Sequence, residues 1–537
     1  MEYWELEQAK LSKEKAQQNK ERYIMSIDAG TGSVRAVIFN LDGVLISVGQ
    51  EEWSHYEQEG IANSMNFDCK QNWPIILRCI TTALKKANIH GEQIIAVSAA
   101  SMREGIVLYD KDLNEIFAVA NVDARAEQEV VKLKEVVGLE EKYYEKSGQT
   151  FALGALPRLL WVKRHQPLIY EKIFKISMLS DWILFKLSGV IASEPSNAGT
   201  SGIFSLHKRE WFPKMASKIG IKDTIFPPCY ESGTVLGKVT CRDSKLGRET
   251  LVVVGGGDIQ MASLGLGLVD IGDTAIIGGT FWQQVRNIPS TTIPPLDMSM
   301  RINPHVISGQ SQAEGITFFS GLVMRWFRDV FCESEKELAK ERKIDPYTIL
   351  EEMASAVPAG SNGVLPIFSD SMKYYKWYHA SPSFLNLSID PKVCNKSVMF
   401  RSLQENACIV SWINLKNIEK FTDTKTKEIV FAGGASKGAL WCQILADVTG
   451  LKVKVPVIKE ATSLGVAIVA GFGAGAYRDI SIMTKKLVKW EKTYLPNPQN
   501  HEIYKDVRKR WQKAYEAQLK LVDEGVTTSM WKSPGMS

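Results

Sequence analysis

Two aspartates, each beside a glycine-rich turn, carry the clearest chemistry in this sequence. Asp28 ends an apolar run that starts at Tyr23, and Gly30-Thr31-Gly32-Ser33 and a second apolar run, Val34–Phe39, follow it. Two short β-rich runs joined by turn residues predict a hairpin. Glycines at 30 and 32 let a ligand approach the backbone, while Thr31 and Ser33 add hydroxyl donors. An acid followed by such a turn suits polyphosphate held against a metal, although an ordinary surface hairpin has the same outline. Asp258 comes after the buried strand Leu251–Val254 and three glycines, Gly255-Gly256-Gly257. It either N-caps the helix from Ile259 to Gly265 or stands as a free acid on the same strand-end surface as Asp28.

Further polar residues fall at strand ends, where open α/β sheets collect their ligands. Ile94–Ala99 leads into Arg103-Glu104, and Ile116–Val119 leads into Asp123 and Arg125. Arg and a carboxylate together suit paired oxygen contacts with a hydroxylated molecule, or form a structural salt bridge. The second half repeats the opening theme. Asp273–Val285 is an apolar run, a Gly278-Gly279-Thr280 turn and another apolar run, and Ile429–Phe431 leads into Gly433-Gly434 and a helix. The N–H groups at that helix start would favour an anionic ligand, unless this is a routine connection. Two such hairpins suggest a duplicated architecture with a cleft between the halves.

The elements that must hold these residues are readable from periodicity. Cys69–Ala87 predicts an amphipathic helix with Trp73, Ile76, Leu77, Ile80 and Leu84 on one face. Strands alternating with helices predict an α/β fold. Leu464–Tyr477, rich in Gly and Ala, predicts a tightly packed helix, and Glu502–Val522 predicts a docking helix with Tyr504, Trp511, Tyr515 and Leu519 on one stripe. The 537 residues are too many for one core, and the pattern loosens near Gly265–Gly272. The expected division is a charged helical extension at 1–22, one domain at 23–267 and a second at 268–537.

Composition narrows the function classes. With 45% apolar and 23% charged residues and a net charge of +5, the chain gives no ground for nucleic acid or an anionic membrane as partner. Eight cysteines are scattered without metal-ligand spacing, and the seven histidines form no cluster. That predicts reduced thiols in a cytoplasmic protein. No stretch reaches the roughly 18–20 apolar residues of a membrane helix, and the first 22 residues lack the apolar centre of a signal peptide.

Taken in order, DAGTGSVR, GGGDIQ, IIGGTFW and FAGGASKGALWCQILAD with KEATSLGVAIVAG resemble the motifs of the FGGY carbohydrate kinases, within the actin-like ATPase superfamily. The likeness spans about Tyr23 to Glu524. It implies two actin-like (ribonuclease H-like) domains, each a mixed β-sheet flanked by helices with a cleft between them, that bind ATP and Mg²⁺. In residue terms it implies Asp258 as the base that accepts the acceptor's proton, with Arg103, Glu104 and Gln260 beside it on the substrate. Asp28, with Asp258, would hold Mg²⁺ directly or through water. Thr31, Gly32, Ser33, Gly279 and Thr280 would meet phosphate, and Gly433, Gly434 and Lys437 the nucleoside.

Strings such as SMREGIVLY, ANVDARA, EPSNAGTSG and WYHASPSFLNLSIDP carry a closer resemblance to one branch, whose acceptor is a small dihydroxy-diketone. Polyol kinases carry a substrate-facing Tyr where this chain has Leu153, Gly154 and Ala155. Its loss weakens the case for glycerol, and Phe281, Trp282, Tyr375 and Trp377 are either pocket wall or core. A ketose or polyol kinase, or an ATP-gated interaction protein without catalysis, are the competing readings; retention of both aspartates argues against the last. Domain closure on acceptor binding is expected, because water in an open site would intercept the phosphoryl group. Some family members are regulated by phosphotransferase carrier proteins, so the resemblance also raises an HPr-type partner, although the sequence shows no docking site for one. The state, monomer or homodimer, is left open.

Overall fold

The computed structural model describes residues 21–370 and 378–535. The chain divides into two compact units. One runs up to Val269 and takes back Asn303–Gln310 and Glu460–Leu487; the other holds Asp270–Ile302, Ser311–Lys459 and the chain from Val488 onward.

The first unit is built on the strands β1 (Tyr23–Ala29), β2 (Ser33–Asn40), β3 (Leu45–Glu52), β4 (Ile94–Ser101), β5 (Val235–Lys238) and β6 (Leu251–Val253). They lie in the order β5-β6-β4-β1-β2-β3, with Gly256–Gly257 also pairing β4. β1 and β2 form the expected antiparallel hairpin, with Asp28 opposite Arg35. β4 runs parallel to β1 and places Asp28 beside Ala100. β1 and β4 read as near-continuous apolar runs because central strands are covered on both faces.

The helix Cys69–Ala87 forms over the span expected. Asp68 caps its start by accepting from Gln71 N at 3.0 Å, and Asn88 at φ 55° ends it. It buries Ile76, Cys79, Ile80, Ala83 and Leu84, whereas Leu77 is only partly covered. The helix Ala461–Gly473 crosses Asp258–Gly265 at very short range. A Cβ at Gly465 would lie 2.0 Å from Met261 O, and one at Gly265 would lie 1.9 Å from Ala461 O. Only glycine permits that approach, which explains the Gly/Ala-rich sequence.

The second unit repeats the order. Its sheet is built on β7 (Thr274–Gly278), β8 (Trp282–Pro289), β9 (Arg301–Pro304), β10 (Gln310–Thr317), β11 (Glu428–Gly433), β12 (Lys452–Pro456) and β13 (Trp490–Tyr494), the end of β9 and the first residue of β10 falling in the segment counted with the first unit. They lie in the order β9-β10-β8-β7-β11-β12-β13. As in the first sheet, a hairpin (β7 with β8) is followed by parallel neighbours, β11 beside β7 and β12 beside β11. The last helix runs over Pro498–Asp523, four residues earlier at its start than its stripe suggested, because Asn497 caps it and Pro498 fits its first turn. Tyr504, Trp511 and Tyr515 are buried in the unit's core with Phe400, Phe431 and Trp441.

Among the described residues no helix is long and apolar enough to cross a membrane. All eight cysteines are free thiols, five of them buried. The expected extension at 1–22 lies outside the described residues except for Glu21 and Arg22, and Tyr375 and Trp377 lie outside them too.

Candidate functional site

In the first unit, strand ends bring both aspartates to one place. Asp28 is buried at the end of β1, with Arg35 Nε 3.6 Å from its Oδ2. Arg35 is shared, since it also bonds Glu460 from the returning segment. Burial, together with the charge of Glu460, outweighs Arg35 and lifts the Asp28 carboxyl to about 6. Asp258 is the first residue of its helix, after Gly257 at the cap position. It therefore does not N-cap that helix. Its Oδ1 accepts from its own neighbour, Ile259 N, at 2.8 Å.

Asp258 Oδ1 lies 4.0 Å from Arg103 Nε. Burial raises its carboxyl to about 7 against the pull of Arg103, and the charges of Asp28 and Glu104 push the same way. The two aspartates and the Arg103–Glu104 pair thus form one electrostatic cluster. Two carboxylates close enough that the charge of Asp28 raises the proton affinity of Asp258 suit a divalent cation, which prefers hard oxygen ligands and keeps part of its water. No group of three or more metal-ligating side chains occurs among the described residues. The carboxylates of Asp28 and Asp258 would supply a few hard oxygens, and such an ion completes its shell with phosphate and water.

The turn after Asp28 is arranged with its carbonyls toward the protein. Gly30 O accepts from Trp53 Nε1 at 3.0 Å, Gly32 O from Trp53 N at 3.2 Å, and His55 Nε2 lies 2.8 Å from Thr31 O. Thr31 Oγ1 accepts from Asn121 Nδ2 at 3.0 Å, which leaves its proton for an outside acceptor. Neither Gly30 nor Gly32 needs a positive φ, and a Cβ at Gly32 would meet nothing within 4 Å. The local fold does not demand glycine at 32, so the free space there is what a closely approaching ligand would use. Trp53, His55 and Asn121 support the turn, and their spacing in the sequence carried no such signal.

Other expected residues find structural partners. Arg125 and Arg158 surround Asp123, with Arg125 Nε 2.7 Å and Arg158 Nε 3.7 Å from its carboxylate, all buried. This network is internal framework at the strand end rather than an open site. Glu104 stands in the left-handed region at φ 64°, and its carbonyl accepts from Arg158. Gln260 is fully buried, folded back onto Gly257.

In the second unit, a cavity of about 510 Å³ gathers Gly279 and Thr280 from the hairpin turn with Gly434 and Lys437. Tyr347, Gln404 and Trp441 line it too, none of them signalled by spacing. Gly434 has nothing within 4 Å of a notional Cβ, and Gly279 nothing closer than 3.7 Å. Gly433 differs: its φ is 93° and a Cβ would lie 2.4 Å from Gly278 O, so its role is to let β11 pass β7. The helix start that followed these glycines is not free for an anion. A short 3₁₀ turn, Gly434–Lys437, intervenes, and Glu351 Oε1 accepts from Leu440 N at 2.7 Å at the beginning of Ala439–Thr449. Trp282 is fully buried against Phe431 and Trp441, hence core, while Phe281 is partly exposed against Phe318 and Phe319.

Two family models match the chain. The FGGY family of carbohydrate kinases, N-terminal domain, covers residues 23–265, and the FGGY family of carbohydrate kinases, C-terminal domain, covers 293–474. The chain belongs to the FGGY family of carbohydrate kinases. This FGGY kinase is 54% identical to the autoinducer-2 kinase of Enterobacter sp. (strain 638), over 96% of this chain and 98% of that one. It is 53% identical to the autoinducer-2 kinase of Klebsiella pneumoniae, over 96% and 97%. Among solved structures, ligand-bound xylulose kinase from Lactobacillus acidophilus aligns with a TM-score of 0.80 at 18% identity, covering 92% of this chain and 98% of that one. Plasmodium falciparum glycerol kinase with ADP aligns with a TM-score of 0.81 at 18% identity, covering 93% and 98%. Those distant matches speak for the fold, and they agree with two actin-like domains of mixed sheets flanked by helices.

Proposed function

We propose that this FGGY kinase transfers the γ-phosphoryl group of ATP to the terminal hydroxyl of autoinducer-2, in its open 4,5-dihydroxy-2,3-pentanedione form, inside the cell. The observation that carries the chemistry is the cluster of Asp28, Arg103, Glu104 and Asp258, with Asp258 raised to about 7. A carboxyl near neutrality is suited to accept a proton from an attacking alcohol. The acceptor rests on the autoinducer-2 kinases named above, alike over nearly full length.

Asp258 takes the proton of the attacking hydroxyl, and Arg103 and Glu104 hold the acceptor's oxygens beside it. Asp28, with Asp258, would hold Mg²⁺ directly or through water; when bound, that ion offsets charge on the phosphates. Thr31, Gly32, Ser33, Gly279 and Thr280 offer donors and open backbone to phosphate oxygens. Gly434 and Lys437, in the cavity of the second unit, flank the nucleoside. Leu153, Gly154 and Ala155 supply no hydroxyl where a polyol kinase has its Tyr, which favours a less hydroxylated acceptor.

The test is ADP release with MgATP against 4,5-dihydroxy-2,3-pentanedione, xylulose, ribulose and glycerol. Turnover on the pentanedione is the expected result. Activity on a sugar or polyol alone would overturn the acceptor, and no ADP release with any of them would overturn the kinase reading.

A further inference from the structure

Glu194–Ser201 is a polar segment buried as deeply as any apolar core. Glu194, Ser196, Asn197, Thr200 and Ser201 have no exposed surface. Buried polar groups must find partners within the protein, and here the partners lie in two directions.

The first direction leads to Asp258. Ser196 Oγ donates to Glu194 Oε2 at 2.6 Å and accepts from Gly257 N at 2.9 Å. Its single proton is committed to the carboxylate, so its lone pairs face the amide just before Asp258. Glu194 is itself fixed by Asn197 N at 3.0 Å and Ser232 Oγ at 3.1 Å, and Ser196 O accepts from Asn303 Nδ2 at 2.7 Å. The glycine turn sits against this arrangement: a Cβ at Gly256 would lie 2.8 Å from Ser196 Oγ.

The second direction leads to the Arg103–Glu104 turn. Asn197 Nδ2 donates to Ser101 Oγ at 2.9 Å, at the end of β4. Thr200 Oγ1 donates to Asn197 O at 2.8 Å and accepts from Glu104 N at 3.3 Å. Glu104 is the residue at φ 64°, a conformation that a non-glycine residue keeps only when its surroundings impose it.

We infer that Glu194–Thr200 is a positioning clamp that sets the base against the acceptor grip, with Ser196 positioning Asp258 and Thr200 positioning Glu104. The inference rests on the roles proposed above for Asp258 and for Arg103–Glu104. Neither Ser196 nor Thr200 touches the reactants in this account; each acts through a backbone amide. A displacement of about 1 Å at a reacting group costs on the order of 100-fold in rate. The two residues therefore affect different kinetic constants, which a purely structural role would not do.

The experiment uses the full chain with MgATP and 4,5-dihydroxy-2,3-pentanedione. Ser196→Ala should lower kcat on the order of 10- to 100-fold with the acceptor KM little changed. Thr200→Val should raise the acceptor KM by roughly tenfold, the cost of a lost hydrogen bond, with kcat little changed, and Thr200→Ser should restore it. Hydrogen–deuterium exchange provides a reading independent of turnover. The peptide spanning Gly257 should exchange faster only in Ser196→Ala, and that spanning Glu104 only in Thr200→Val. Folded variants with wild-type kcat, KM and exchange would overturn the clamp, as would kcat and KM moving together in both. If Ser196→Ala does not fold, the Thr200 pair decides. A wild-type protein that phosphorylates no acceptor would sink the functional reading instead, and the exchange measurement would still judge the clamp.

Discussion

Replacing Asp258 by asparagine should disable the enzyme and make the protein more stable, in a way that depends on pH. Folding lifts the Asp258 carboxyl from 3.8 to about 7, chiefly through burial. At about 1.4 kcal/mol per tenfold change in proton affinity, that corresponds to an upper bound of about 4 kcal/mol. The side chain keeps 30% of its surface exposed, so solvent screening reduces the expected effect to roughly 2 kcal/mol. The sign follows from proton binding. Between pH 3.8 and about 7 the folded protein holds a proton that the unfolded chain has released, so stability falls as pH rises through that window. Asparagine carries no charge and escapes this loss.

Urea unfolding of the wild type and Asp258→Asn at pH 8 and pH 5 measures the effect, because other titrating groups cancel in the difference. The variant should be more stable by roughly 2 kcal/mol at pH 8 and by less than half of that at pH 5. Its kcat should fall on the order of 10²- to 10⁴-fold, with nucleotide still bound. Equal turnover would refute the base, and an equal stability gain at both pH values would refute the buried-charge argument.

Further outcomes follow from the same geometry. Removing Arg103, as Arg103→Leu, takes away the charge that holds Asp258 down, so the rise of kcat/KM with pH should move to higher pH. An unmoved profile would detach Arg103 from the base. Gly434→Ala meets no atom within 4 Å, so its Tm should match the wild type while ADP binding by calorimetry weakens. Gly433→Ala meets Gly278 O at 2.4 Å and a φ of 93°, so it should lose at least about 1–3 kcal/mol of stability. If both glycine variants melt alike, the distinction between an open and a packed glycine fails. Gly465→Ala forces a Cβ to 2.0 Å from Met261 O. It should destabilise the first unit by a similar amount in urea unfolding.

Much of the fold was legible locally. Tyr23–Phe39 formed its hairpin, Cys69–Ala87 its helix and Thr274–Pro289 the second hairpin, because strand pairing across a short turn and helix capping depend on neighbours in sequence. The two aspartates, the hydroxyl turns and the open glycines were visible for the same reason. Their residue types are costly or purposeless elsewhere. The four glycine motifs, read in order, were enough to suggest the family.

What lay beyond the sequence were the relations between distant segments. Glu460–Leu487 returns to the first unit and brings Glu460 to Arg35 beside Asp28. Glu351 comes from afar to cap the helix that looked open to an anion. Gly433 and Gly434, adjacent and alike in the sequence, divide into one glycine required by packing and one free to face a ligand. Periodicity reports which face of an element is buried but not what covers it. The protonation of Asp28 and Asp258 depends on that covering, since burial and the charges around them set it. The chain by itself pointed to the candidate groups, and the tertiary structure set the burial and the neighbouring charges that shift their proton affinity.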